Sequence, residues 1–253
     1  GAAGGIAIGR DYALTLEYGQ IIEMNPTRRN AMAKLEHTIE DITSKLYTAV
    51  LSDVLDSFGL FHQAMRPFVR PLDDSLVLFG QARTGMYMNV CDVSAGENPY
   101  EVEIALVDDL RPGDVAVFGC DGPTERIAPW GELLTTAALA RGASGFVTDG
   151  LVRDVRLIRN LKFPVFHGGI GPLDSAGRCR MMTMDQPIDC GGVGVRSGDF
   201  VFGDADGVVV VPQDSAKAVF ELAFEKIQSE NVSREELRAG SYLRDVYEKY
   251  GVL

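Results

Sequence analysis

Apolar positions first recur at helical spacing between Leu35 and Gly59. In TAVLSDVLDSFGL, Val50, Leu51, Val54, Leu55 and Phe58 share one stripe. Thr48 is placed to cap the helix and Gly59 to stop it. SLVLFGQARTGMYMNV has the apolar density of strands, and NPYEVEIALVDDLRPGD reads as a helix stopped by Pro112-Gly113. From there the periods alternate. DVAVFG is a buried strand, GELLTTAALARG a helix ending at Gly142, GFVTDG a strand, VRDVRLIRNL a short helix and FPVFHGG a strand. Strands and helices alternating at this spacing predict βαβ units and a parallel sheet segment. GGVGVRSGDFVFGDADGVVVVP then breaks into short apolar runs separated by Gly-Asp turns, which predicts β-hairpins. From about Ser215 the chain reads as helix, first AKAVFELAFEKIQSENVSREELRAG and then YLRDVYEKYG. No repeat and no linker divides it. We expect residues 1–35 to be an N-terminal extension or arm, 36–212 an α/β domain, and 213–253 a C-terminal helical arm.

Composition narrows the function. The chain has 253 residues and a formal net charge of −12, so it would repel a phosphate backbone. No cluster of Lys and Arg with interleaved aromatics offsets this, and direct nucleic-acid binding is not expected. Cys91, Cys120, Cys179 and Cys190 form no C-x-x-C pair and suit neither a disulfide scaffold nor a zinc site. They read as small buried hydrophobes of a reducing, cytoplasmic compartment. The apolar runs are far shorter than the roughly 20 residues that span a bilayer, and no signal-peptide pattern opens the chain. No membrane partner is expected.

Ligands of parallel α/β folds bind outside the carboxyl ends of the strands. Two such ends matter here. DVAVFG runs out into CDGPTERIAPWG, and GFVTDG runs out into LVRD. If the two strands are neighbours, both loops crowd one edge. The helix starting near Gly131 has unpaired N–H groups in its first turn, including those of Leu133 and Leu134, and so offers a local anion site. Gly131 lets a ligand approach the backbone. Arg153 offers a planar donor fork for a carboxylate or enolate oxygen. Asp154 and Glu132 are hard oxygen donors suited to Mg²⁺ or Mn²⁺. Each has a plainer reading: Arg153 and Asp154 as a surface ion pair at a helix start, and Glu132 as an ordinary first-turn acid.

PWGELLTTAALARGASGFVTDGLVRD resembles the signature of the RraA-like family, which includes divalent-metal 4-hydroxy-4-methyl-2-oxoglutarate aldolases and regulators of ribonuclease E activity. LYTAVLSDVLDSFGL, LRPGDVAVFG, FPVFHGG and GDADGVVVVP extend the resemblance over about residues 40–212. It implies a layered α/β/β/α, swivelling-domain-like fold with a partly parallel sheet and a C-terminal helical arm that packs on a neighbouring subunit. It also implies a homotrimer or a homohexamer. By the same resemblance Asp154 binds the metal directly and Glu132 holds a metal-bound water. The backbone N–H groups of Leu133 and Leu134, beside Gly131, receive a substrate carboxylate, and Arg153 stabilises an enolate oxygen. An acidic residue from a neighbouring subunit's arm would complete the site, with Glu230 as the candidate.

The implied activity is metal-dependent cleavage of a 4-hydroxy-2-oxo acid, or decarboxylation of oxaloacetate, through a pyruvate enolate. Many of the aldolases carry Asp or Glu three positions after the Arg-Asp pair, where this chain has Leu157. The substrate could therefore be a different oxo or hydroxy acid. The regulators generally lack the metal-binding Asp, which this chain keeps, so a non-catalytic partner-binding protein is the alternative.

Other residues read more plainly. GDADG (203–207) is a tight turn rather than a calcium loop. Asp53 and Asp56 form a solvated face. His167 ends a strand, as either a structural histidine or an acid–base group. Arg178 and Arg180 lie on a loop where either could meet a second carboxylate. Trp130 walls the pocket or packs in the core. The pattern supports neither a serine-hydrolase triad nor a nucleotide-binding loop.

Overall fold

The computed structural model describes residues 35–93 and 95–251, all within one compact unit. The expected N-terminal extension falls almost wholly outside the described residues. In chain order the elements are α1 (Ile39–Lys45), α2 (Thr48–Ser57), β1 (Arg70–Pro71), β2 (Leu78–Asn89), α3 (Glu101–Asp108), β3 (Asp114–Gly119), α4 (Glu132–Ala140), β4 (Gly145–Thr148), β5 (Leu151–Val152) and α5 (Val155–Leu161). There follow β6 (Val165–His167), β7 (Gly169–Ile170), β8 (Cys179–Met184), β9 (Ile188–Cys190), β10 (Val193–Val195), β11 (Phe200–Asp204), β12 (Gly207–Val211), α6 (Ala216–Arg238) and α7 (Leu243–Tyr250).

The main sheet runs β1-β6-β4-β3-β2-β11-β12, with β8 also on β2. Its centre is parallel: β2 with β3, β3 with β4, and β4 with β6. The edge of β2 away from β3 is shared, with β11 antiparallel to its first half and β8 antiparallel to its second. The sheet nearly closes. Ala64 bridges to Val209 on β12, Met65 N–H donates to Val208 C=O at 2.9 Å, and six residues later Arg70 pairs with His167 on β6. One short stretch of chain thus ties the two sheet edges together.

Period-two alternation sorts the strand side chains into three cores. Leu78, Val115, Val117, Val147, Val201, Val208 and Val210 point inside the curled sheet, with Ile188 and Val195 of the β9–β10 hairpin. Ala116, Phe118 and Phe146 point outward under α3, α4 and α5. Phe79, Phe200, Phe202, Val209 and Val211 point outward under α1, α2 and the first half of α6. This is the layered, partly parallel α/β architecture with a C-terminal helix that the sequence implied. At about 25 cal/mol per Å² of apolar surface removed from water, each of these fully buried aromatics contributes on the order of 2–3 kcal/mol.

Three local expectations need correction. Thr48 is the first residue of α2, not its cap; the cap residue is Tyr47, whose side chain makes no capping bond. Asp204, from the tight β11–β12 turn, does that work instead, accepting from Thr48 N–H at 2.8 Å and from the Thr48 hydroxyl at 2.7 Å. Arg180 lies within β8 rather than on a loop, because Cys179 and Met181 alternate inward into the α3-side core. Residues 35–59 hold two helices, separated at Leu46 by an extended backbone.

Candidate active site

β3 and β4 are parallel neighbours, so the loops after them meet at one edge. Asp149, just past β4, fastens them. It is buried, and its carboxylate accepts from Cys120 N–H (2.7 Å), Gly122 N–H (2.9 Å) and Gly191 N–H (3.2 Å). Burial pushes its pKa up even though those three donors favour the charged form. Next, Val152 pairs with Trp130, and Arg153 N–H donates to Trp130 C=O at 3.0 Å. Trp130 is fully buried, stacked on Phe146 with its indole N–H on the Thr135 hydroxyl, so it packs the core while its backbone fixes the site.

This pairing sets Gly131 against Asp154. A Cβ on Gly131 would lie 2.6 Å from Asp154 Oδ2 and 3.2 Å from Arg153 Cγ and Nε. Asp154 starts α5 in the left-handed conformation (φ 58°, ψ 26°), which Asp adopts more readily than most residues. Its side chain does not cap its own helix. Instead Oδ2 accepts Glu132 N–H at 3.2 Å, across to the start of α4. The first bond within α4 runs from Thr135 N–H to Gly131 C=O, leaving the N–H groups of Leu133 and Leu134 without intrahelical acceptors.

A cleft of about 280 Å³ opens here, lined by Gly131, Leu133, Leu134, Arg153 and Asp154 among others. Arg153 Nε lies 3.8 Å from Asp154 Oδ2, and its Nη1 lies 3.2 Å from Asp174 Oδ1. The Tyr100 hydroxyl donates to the other Asp174 oxygen, and this bond, with burial, pushes the Tyr100 pKa up to about 12. The cleft lining also includes Glu103, buried with its Oε2 accepting from the Tyr87 hydroxyl. Burial pushes the Glu103 pKa up to about 7; Asp174 adds to the rise, while the Tyr87 bond and Arg153 oppose it. A larger hollow of 480 Å³, beside Gln63, Arg196, Ser197 and Gln213, holds none of the predicted site residues.

The structure therefore gathers Gly131, Leu133, Leu134, Arg153 and Asp154. Glu132 joins through its backbone, while its carboxylate accepts from Thr136 at 2.8 Å. Glu230 sits elsewhere in the chain, bonded to the Tyr47 hydroxyl and 3.7 Å from Arg234. Arg178 and Arg180 are not cleft residues; Arg178 bonds Asp174 C=O and Arg180 pairs with Glu97. His167 is buried with Nδ1 unpartnered, and burial lowers its pKa to about 4.

Glu103, Tyr100 and Asp174 were not anticipated. Glu103 had a signal: Glu103, Leu106, Val107 and Leu110 fall at i, i+3, i+4 and i+7, a carboxylate on a buried stripe. Asp174, in an irregular loop, had none. Among the described residues no group of three His, Cys, Asp or Glu converges as a metal cage, and no helix is long and apolar enough to cross a membrane.

The model of the RraA-like family, described as Aldolase/RraA, matches residues 48–210. A Halalkalibacterium halodurans protein named "Putative 4-hydroxy-4-methyl-2-oxoglutarate aldolase" is 34% identical over 188 residues, covering 74% of this chain and 82% of its own length. Protein DlpA of Legionella pneumophila is 27% identical over 231 residues; the match covers 90% of this chain and 36% of DlpA. Among solved structures, Streptomyces coelicolor RraAS2, titled an unusual member of the RNase ES inhibitor RraA protein family, superposes with a TM-score of 0.71 at 28% identity, covering 78% of this chain and 96% of that one. With a family match across most of the chain and the same fold in a solved member, this chain belongs to the RraA-like family.

Proposed function

We propose that the chain is a divalent-metal-dependent carbon–carbon lyase acting on a small 2-oxo acid, either cleaving a 4-hydroxy-2-oxo acid or decarboxylating oxaloacetate through a pyruvate enolate. The observation that carries this reading is the convergence of Asp154, Arg153 and the open start of α4 in one cleft. The name of the Halalkalibacterium halodurans relative supports the same chemistry.

The donor set fits a hard cation. Asp154 is a partly exposed carboxylate turned toward the cleft rather than onto its own helix. Mg²⁺ keeps several waters and needs only one or two protein carboxylates. Asp154 would hold Mg²⁺ or Mn²⁺ directly, with Glu132 acting through water. When bound, the ion supplies a Lewis acid for the carboxylate and keto oxygens of the substrate. The N–H groups of Leu133 and Leu134 receive the carboxylate at the positive end of α4. Arg153 stabilises the oxygen on which negative charge develops. Asp174 holds the Arg153 guanidinium at 3.2 Å and so fixes its aim.

Pyruvate release from oxaloacetate and from 4-hydroxy-4-methyl-2-oxoglutarate tests this. Turnover above the metal-only background, abolished by EDTA, is expected. The same test on other oxo and hydroxy acids identifies a different substrate. Likeness to RraAS2 favours the non-catalytic reading; binding to a ribonuclease scaffold without turnover on any of these acids would establish it. We extend the proposal to a trimer or a pair of trimers. Leu133, Ile170 and Leu157, respectively 80%, 56% and 45% exposed, would be covered in such an assembly. Sedimentation velocity reads its mass.

A further inference from the structure

A retro-aldol reaction needs a group to take the proton from the C4 hydroxyl. We propose that Glu103 is that group, the general base of the aldol cleavage, and that it is not needed for decarboxylation. This rests on the lyase reading above.

Gly131, Leu133, Leu134, Arg153 and Asp154 line the part of the cleft that would hold the carboxylate and keto end of the substrate, and Tyr100, Glu103 and Asp174 line the same cleft. Both oxygens of Asp174 are committed, Oδ1 to Arg153 and Oδ2 to Tyr100. Asp154 Oδ2 is held by Glu132 N–H. Glu103 differs: it is a buried carboxylate of the cleft lining whose Oε2 accepts from a neutral hydroxyl, that of Tyr87.

The groups facing it are Tyr87 from β2, Asp174 from the loop before β8, and Arg153 from the loop before α5. Burial and Asp174 weaken Glu103 as an acid until its pKa reaches about 7, where a general base is most effective. In the step, Glu103 takes the C4 hydroxyl proton and the O–H pair becomes the C4=O bond. The C3–C4 bond breaks and its pair enters the C2–C3 enolate. Water protonates C3 to give pyruvate, and Glu103 returns its proton to solvent. Loss of CO₂ from oxaloacetate breaks a C–C bond with no hydroxyl proton to remove.

Both reactions should be assayed on the full chain with Mg²⁺ or Mn²⁺, using 4-hydroxy-4-methyl-2-oxoglutarate and oxaloacetate. E103Q keeps the shape and an acceptor for Tyr87. It should lose roughly 10²-fold or more of kcat for cleavage and keep decarboxylation within about threefold. Cleavage by the wild type should rise with pH through a limb that decarboxylation lacks. Y87F retains Glu103 but removes a bond that favours its charged form, so the limb should move to higher pH. Equal losses in both reactions, an unaffected cleavage rate, or a limb that stays put or moves down in Y87F would each overturn the assignment while leaving the lyase reading standing. A wild type inactive on both acids would overturn the lyase reading, and the assignment with it.

Discussion

Gly131 and Asp154 are in contact, although a helix and two strands separate them in sequence: a single methyl group on Gly131 would meet Asp154 Oδ2 at 2.6 Å. The backbone of Gly131 is extended, with φ −146°, so alanine brings no conformational strain there. The clash falls on the far end of a side chain that can swing away. Gly131→Ala is therefore expected to cost less than about 1 kcal/mol of stability, within the range of mild substitutions. The displaced Asp154 should nonetheless lower metal-dependent turnover by roughly tenfold or more, since catalytic groups misplaced by about 1 Å lose on the order of 10² in rate. Paired denaturation and rate measurements check both halves.

Asp174 should matter through Arg153. Asp174→Ala frees the guanidinium and also removes the acceptor of the Tyr100 hydroxyl. We predict a fall in kcat on oxaloacetate of roughly 10–10²-fold, up to the loss seen on removing one oxyanion donor. Asp174→Asn keeps an acceptor and should recover part of it. A rise in KM alone would mean that the pair serves only binding.

Asp204 should be a stability residue remote from the chemistry. Asp204→Ala uncaps α2 and strands the buried Thr48 hydroxyl. A loss of about 1–2 kcal/mol is expected, read as a lower denaturant midpoint, with the turnover of the folded fraction unchanged.

Glu103 and His167 pull the pH dependence of stability in opposite directions. Glu103 is raised from 4.5 to about 7, so the folded protein holds the extra proton. Its stabilisation is full below pH 4.5 and is lost as pH rises through about 7. His167 is lowered from 6.5 to about 4, so its stabilisation is present above pH 6.5 and is lost as pH falls through about 4. The stability of wild type minus that of E103Q removes the His167 contribution. That difference should fall between pH 4.5 and 7 and flatten above. A difference that rises over that range would contradict the burial of Glu103.

Sequence legibility followed how local each determinant is. The βαβ run, the two terminal helices and the Gly131–Asp154 convergence were readable, because period, Gly breaks and strand-end logic each act over a few residues. The helix break at Leu46 and the capping of α2 were not. Asp204 reaches α2 from a hairpin 156 positions away, a contact that only the closed sheet creates. β8 was hidden because Arg178, Arg180 and Gly177 look like loop chemistry, while its inward positions are only Cys179 and Met181. Glu103 was legible only as a carboxylate on the apolar stripe of α3, which marks burial but not the cleft it lines. Glu230 was assigned on the resemblance alone, and within the chain it serves Tyr47 and Arg234.

The most direct test compares pyruvate release from oxaloacetate by the wild type and by Asp154→Ala, with Mg²⁺ or Mn²⁺, with and without EDTA, corrected for the metal-only background. Metal-dependent turnover by the wild type that EDTA removes is expected, and none by a folded Asp154→Ala. Equal turnover by the two proteins would contradict Asp154 as the metal ligand, and with it the proposed site.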